Sequence, residues 1–216
     1  MYKHLRILQE KLFKKTVIKE FDKNINLAAG IDVSFSKKDN LAFCSIVVVD
    51  KDFNIVEVQN SHKKINMPYI PGLLSFRELP VIYDTYKKLR VKPDIFILDS
   101  QGIAHPRKFG LATHFGVVFG VPSIGCAKSK LVGDYVEPEL EKGSFSYLYY
   151  KNEKLGVVLR SRTKVKPIYV SPGHLTDIES SMRIVMQFVN KYRLPEPTRH
   201  AHIYAEKYKR AIIDSN

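Results

Sequence analysis

Three runs early in the chain decide the fold: Leu27 to Phe35 (LAAGIDVSF), Ala42 to Asp50 (AFCSIVVVD) and Phe53 to Val58 (FNIVEV). The first reads as a mostly buried strand, the second is apolar and β-branched, and the third follows after only Lys51 and Asp52. Strands this close together predict an antiparallel meander. Further on, Asp94 to Leu98 (DIFIL) is short and apolar, the kind of strand found inside a parallel sheet.

Helical spacing appears between these runs. Leu74, Val81 or Ile82, and Leu89 fall at helical intervals within 73–90, with Pro80 placing the start or a kink of the main helix near Glu78. A helix-like stretch over Arg107 to Phe119 leads to a strand over Val121 to Cys126. Strands over 144–150 and 156–161 flank a turn at Asn152-Glu153-Lys154, and Pro167 to Val170 forms the last strand. Thr176 to Glu179 has the capping-box pattern with Thr176 at the N-cap. Ile178, Met182, Val185 and Val189 follow as an apolar stripe on which the methionines are core filler. A meander followed by alternating helices and strands predicts an α/β fold, with a mixed central sheet flanked by helices. No repeat or linker divides residues 1–216, so one domain is expected.

The hydrophobic fraction of 44% excludes a disordered chain, and 216 residues suffice for a full core. Cys44 and Cys126 sit in apolar runs and read as buried reduced thiols. No apolar run has signal-peptide or membrane-spanning length, so a cytoplasmic protein without membrane association is expected. With 35 Lys+Arg against 22 Asp+Glu, the net charge is +13. Basic residues gather in the first 24 positions, in Arg160, Arg162, Lys164 and Lys166 at strand spacing, and between Arg183 and Arg210. Acids gather in the 134–141 loop (DYVEPELE). Three basic zones point to nucleic acid as the partner, against the alternative of solvated faces.

Asp32 lies within the first strand and Asp99 ends DIFILD. A carboxylate there is costly unless compensated. Either each caps a local turn, or both converge from adjacent strand ends on a divalent cation, which prefers a few carboxylates plus water and phosphate. Glu78 sits where the helix is expected to start and can simply interact with its dipole. His174, in a Ser-Pro-Gly-His turn, is either a turn residue or a donor to phosphate or water. His4, His62, His200 and His202 read as surface histidines. Pro68 and Pro71 bracket Tyr69 and Ile70 ahead of Gly72, either as a rigid ridge fit to enter a base stack or as a loop packed on the core. Zinc spacing, a Walker loop and a nucleophile elbow are absent from the sequence.

These residues fall in segments that resemble the endonuclease V family of deoxyinosine-specific nucleases. The resemblance rests on AGIDVSF (29–35), PYIPGLLSFRE (68–78), LDSQGIAHPRKFGLATHFG (98–116), IGCAKSKLVG (124–133), SPGH (171–174) and RLPEPTR (193–199). It implies a ribonuclease-H-like fold and a DNA-repair hydrolase, acting as a monomer. The implied cofactor is Mg²⁺, with Mn²⁺ as a substitute. The implied reaction cuts the second phosphodiester bond 3′ to a deaminated base. By the same resemblance Asp32 and Asp99 are metal ligands, Glu78 an assisting carboxylate, and His174 a residue of the catalytic cleft. Tyr69, with Ile70, is the strand-separating wedge. Gly72, Leu74 and Gly110 form the base pocket, and Lys128, His105 and Arg107 contact the sugar-phosphate backbone. The family often has glycine where this chain has Ser100, and tyrosine where it has Phe35. Two rival readings are an endoribonuclease acting on inosine in single-stranded RNA, and a non-catalytic nucleic-acid-binding protein of the same fold. The second predicts loss of an acid at position 32, 78 or 99, and all three are acids.

Overall fold

The meander forms as the sequence predicts: β1 (Leu27–Ser36), β2 (Leu41–Asp50) and β3 (Ile55–Lys64) pair antiparallel in chain order. The computed structural model describes residues 2–214. After α2 (Leu74–Tyr86), β4 (Ile95–Leu98) pairs parallel to β1. After α3 (Leu111–Phe119), β5 (Ser123–Ala127) pairs parallel to β4. With β6 (Phe145–Tyr150), β7 (Glu153–Leu159) and β8 (Ile168–His174) they form an eight-stranded mixed sheet in the order β3-β2-β1-β4-β5-β8-β7-β6. The remaining helices are α1 (Lys3–Phe13), α4 (Ile178–Gln187) and α5 (Glu196–Asp214).

Strand alternation divides the core into two layers. Ala28, Val47, Val49, Ile95 and Ile97 pack with Ile184, Val185, Phe188 and Ala201 of the α4–α5 side. Ala29, Ile31, Cys44, Ile46, Phe96 and Leu98 pack with Val81, Ile82, Ala112 and Phe115 of α2 and α3. Burying each Val, Leu, Ile or Phe among them stabilises the fold by roughly 1.5–3 kcal/mol. Both cysteines are buried free thiols. Among the described residues, no helix is long and apolar enough to cross a membrane.

Several elements depart from expectation. α2 starts four residues before Glu78 and carries Pro80 inside it. The third helix begins at Leu111 and stops at Gly120, whose φ of 65° suits a residue without Cβ. The hairpin turn is Lys151-Asn152, φ 52° and 63°, the two positive values that a type I′ turn requires. β8 extends through Ser171-Pro172-Gly173, so His174 ends a strand. Thr176 does not cap α4: its hydroxyl is buried and donates to the Ser123 carbonyl (3.0 Å), while Asp177 caps by accepting from Ser180 N (2.7 Å). Residues 160–166 are irregular, not a strand of exposed cations. Arg160 is buried there, donating to Glu137 (2.8 Å) and to the Glu139, Pro138 and Val165 carbonyls, and so pins the acidic loop.

Candidate active site

Sheet register brings the two aspartates together. The parallel β1–β4 ladder ends at Ile31↔Leu98, so Asp32 and Asp99 are the next pair, and Asp99 N donates to Ile31 O (3.2 Å). Partners across a parallel ladder lie about 4.8 Å apart. By alternation both side chains share the face of Ala28, Ile95 and Ile97, beneath α5.

The approach of α5 depends on Gly30, where a Cβ would lie 2.0 Å from the Pro197 carbonyl oxygen. From that contact helix and strand run in step. Two strand residues advance about 6.6 Å, and four to five helical residues about 6–7.5 Å. Accordingly His202 Nδ1 meets Asp32 Oδ2 at 2.9 Å, and Glu206 meets the Ser34 hydroxyl. Asp99 is paired with Lys128, the residue that follows β5 at the same sheet edge. The Asp32 and Asp99 side chains are 13% and 9% exposed. Burial pushes the Asp99 carboxyl above its usual range; Lys128 opposes this and the Asp32 charge adds to it.

Glu78 approaches from α2 and is buried. Desolvation, then the charges of Asp32 and Asp99, push its pKa up to about 8 despite Arg77. Three carboxyl groups thus share one field, with Lys128 and Arg77 as neighbouring cations and the His202 ring at Asp32. Among the described residues no trio of His, Cys, Asp or Glu closes into a metal cage. Two carboxylates at the ends of adjacent strands nevertheless suit Mg²⁺, which prefers a few carboxylates completed by water and phosphate.

Beside Asp99 opens a cavity of about 330 Å³. Gly72, Leu74, His105, Gly110 and Lys128 line it, and Tyr69, 64% exposed, stands among its lining residues. Ser100 and Gln101 also line it, and each holds a buried polar atom (Oγ and Oε1) with no partner among the described residues. Ile70 lies elsewhere, in a depression against α1 with Tyr2, Arg6 and Ile7.

Some expected residues sit differently. His105 Nε2 (3.1 Å) and Arg107 Nη2 (2.7 Å) both donate to the Gly72 carbonyl, so they brace the loop behind Tyr69. Burial lowers the His105 pKa to about 4, and its Nδ1 accepts from Arg107 N (3.2 Å), which fixes a neutral ring with the proton on Nε2. His174 is not brought to the carboxylates. It pairs with Ser123, which pairs with Phe96, so it lies two strands over and about 10 Å back along the sheet from Asp99. Its Nδ1 accepts from Val17 N (3.1 Å). His202, read as a surface histidine, is the histidine at Asp32. Its sequence signal is faint: Ala201 and Ala205 mark the face of α5 against the sheet, and His202 borders it.

Proteins of one family share this chain's sequence and fold. The endonuclease V family profile matches residues 10–203. An endonuclease V of Thermosipho melanesiensis is 48% identical over 203 residues, 94% of this chain and 89% of that one. The crystal structure of the Streptomyces avermitilis endonuclease V superposes with a TM-score of 0.94 at 30% identity, covering 99% and 95% of the two chains. That of Ciona intestinalis endonuclease V, bound to a 24mer DNA containing an inosine followed by a ribo-adenosine, superposes at 0.84 and 28% identity, covering 97% and 98%. The residues that carry the two aspartates, the ridge and the cavity therefore lie inside a match spanning most of the sequence, and the chain belongs to the endonuclease V family.

Proposed function

We propose that this chain, acting as one catalytic domain in the cytoplasm, recognises deoxyinosine in DNA and cleaves the second phosphodiester bond 3′ to it. The observation that carries this reading is the cavity, large enough for one base, that adjoins Asp99 beside the exposed Tyr69. A base drawn from the stack enters the cavity while Tyr69 takes up the stacking it leaves, and a poorly paired base leaves most cheaply. Hypoxanthine lacks the amine of guanine, so close walls reject guanine by leaving that amine unpaired.

Asp32 and Asp99 would hold Mg²⁺, or Mn²⁺ in its place. When bound, such an ion neutralises charge on the scissile phosphate and lowers the pKa of a water. His202 orients the Asp32 carboxylate through Nδ1, and Lys128 opposes the effect of burial on Asp99. Glu78 holds its proton near neutral pH until positive charge is added beside it. The two buried thiols suit a reducing compartment.

The test is incubation with matched duplexes, inosine-containing and control, in Mg²⁺ and then in chelator, with an inosine RNA strand as a third substrate. The reading expects cutting of the inosine duplex in Mg²⁺ only. Equal cutting of the control overturns the lesion assignment, and preference for the RNA strand overturns DNA as the substrate.

A further inference from the structure

α1 lies against the loops that wall the cavity, and its one buried residue is polar: Gln9, only 1% exposed. A buried carboxamide is costly unless its groups are bonded. Both donors of Gln9 are used: Nε2 donates to the Gly72 carbonyl (3.0 Å) and to the Phe109 carbonyl (3.3 Å). Its Oε1 accepts from Arg107 Nε (2.6 Å), and Arg107 in turn donates to the Gly72 carbonyl. Gly72 and Phe109 belong to two loops far apart in sequence, and both line the cavity. Gly72 follows the Tyr69 ridge, and its φ of 77° allows little else in its place.

We propose that Gln9 is a positioning residue of the base cavity, whose carboxamide fixes the spacing between the Gly72 and Phe109 walls and so sets how well hypoxanthine is told from guanine. The inference rests on the cavity being the base site. Rejecting a base that differs by one exocyclic group needs walls that do not yield. A cross-brace of two donors and one acceptor supplies that stiffness without touching the base or the carboxylates. The family profile begins at residue 10, so the brace comes from just outside the matched region.

Two variants separate hydrogen bonding from packing. Gln9→Met keeps the length and loses every bond, while Gln9→Glu keeps the acceptor for Arg107 and loses both donors. Melting temperatures establish that each is folded at the assay temperature. Affinity is measured in chelator for duplexes carrying a single I·C or G·C pair at the same place, and single-turnover cleavage at saturating protein in Mg²⁺. The proposal expects the inosine-over-guanine affinity ratio to fall about tenfold in both variants, as loss of at least two net hydrogen bonds from the brace allows. The cleavage rate of the saturated inosine complex stays unchanged. A folded variant with the wild-type inosine preference overturns it, as does an equal fall for both duplexes. Wild-type protein with no inosine preference overturns the underlying reading as well, which separates the two failures.

Discussion

Glu78 is buried against two other carboxylates, and its proton is the most direct report on the site's electrostatics. Its pKa rises from 4.5 to about 8 on folding without metal. Between those values the folded state binds a proton that the unfolded chain has released, so this group's contribution to stability falls as pH rises and levels off above pH 8. In chelator, Glu78→Gln is therefore expected to gain melting temperature relative to wild type across that window. A pH-independent difference contradicts the burial argument. His202 carries the second residue-scale prediction. On the proposed metal role of Asp32, replacing its partner His202 by alanine is expected to slow single-turnover cleavage ~10–100-fold with inosine binding retained. His174→Ala should leave that rate unchanged and act on stability through Val17. The reverse ranking contradicts the strand register. Asp32 and Asp99 were legible as a candidate pair, because acids amid apolar residues are conspicuous, whereas Glu78 joined them only through the resemblance. His202 was not, because an exposed histidine on a polar helix differs from its neighbours only through what it touches.

At the scale of elements, the contact between β1 and α5 governs the site. Gly30→Ala places a Cβ within 2.0 Å of the Pro197 carbonyl, so the helix must move off the strand. The expected cost is about 1–3 kcal/mol, read as a lower denaturation midpoint, together with lost activity as His202 leaves Asp32. Unchanged stability means the helix does not sit as described. The strands of the meander were readable because β-branched runs have few alternatives. α5 escaped notice because alanines and polar pairs such as Ser34 with Glu206, rather than a broad apolar stripe, hold it to the sheet. α1 buries only Gln9 fully, and its apolar contact with the core is confined to Phe13 at its end. The end of β8 read as a turn because Pro172 and Gly173 suggest one; the sheet keeps them through a register shift at Ser123/Ile124.

Over the whole molecule, the net charge of +13 sets how the protein meets DNA. Not every cation contributes: Arg160 is buried, Arg199 pairs with Glu196, and Lys209 with Glu206. The first 24 residues keep Lys3, Arg6 and Lys11 exposed on α1, next to the Ile70 depression. Affinity for undamaged duplex is expected to fall linearly on a plot of log K against log[salt], with a slope of about −0.9 per phosphate neutralised. A flat response removes the basic surface as a footprint. Alternating Arg and Lys at 160–166 misled at this scale, since spacing alone does not say whether a strand exists to display it. The cavity was legible only through the resemblance, because its walls come from segments that no local pattern joins.

The central proposal is that this cavity selects the base while the neighbouring carboxylates serve cleavage of the strand 3′ to it. Ala127, on β5, lines it with Asp99 and Lys128, whereas Asp32 and Glu78 are not among the lining residues. Ala127→Leu fills the space and leaves the three acids in place. The decisive measurement is its single-turnover cleavage of an inosine duplex beside a control duplex, at a temperature where melting shows it folded. The account predicts that the inosine rate falls at least ~10-fold, towards that of the control. A folded Ala127→Leu protein that cuts the inosine duplex at the wild-type rate would contradict it.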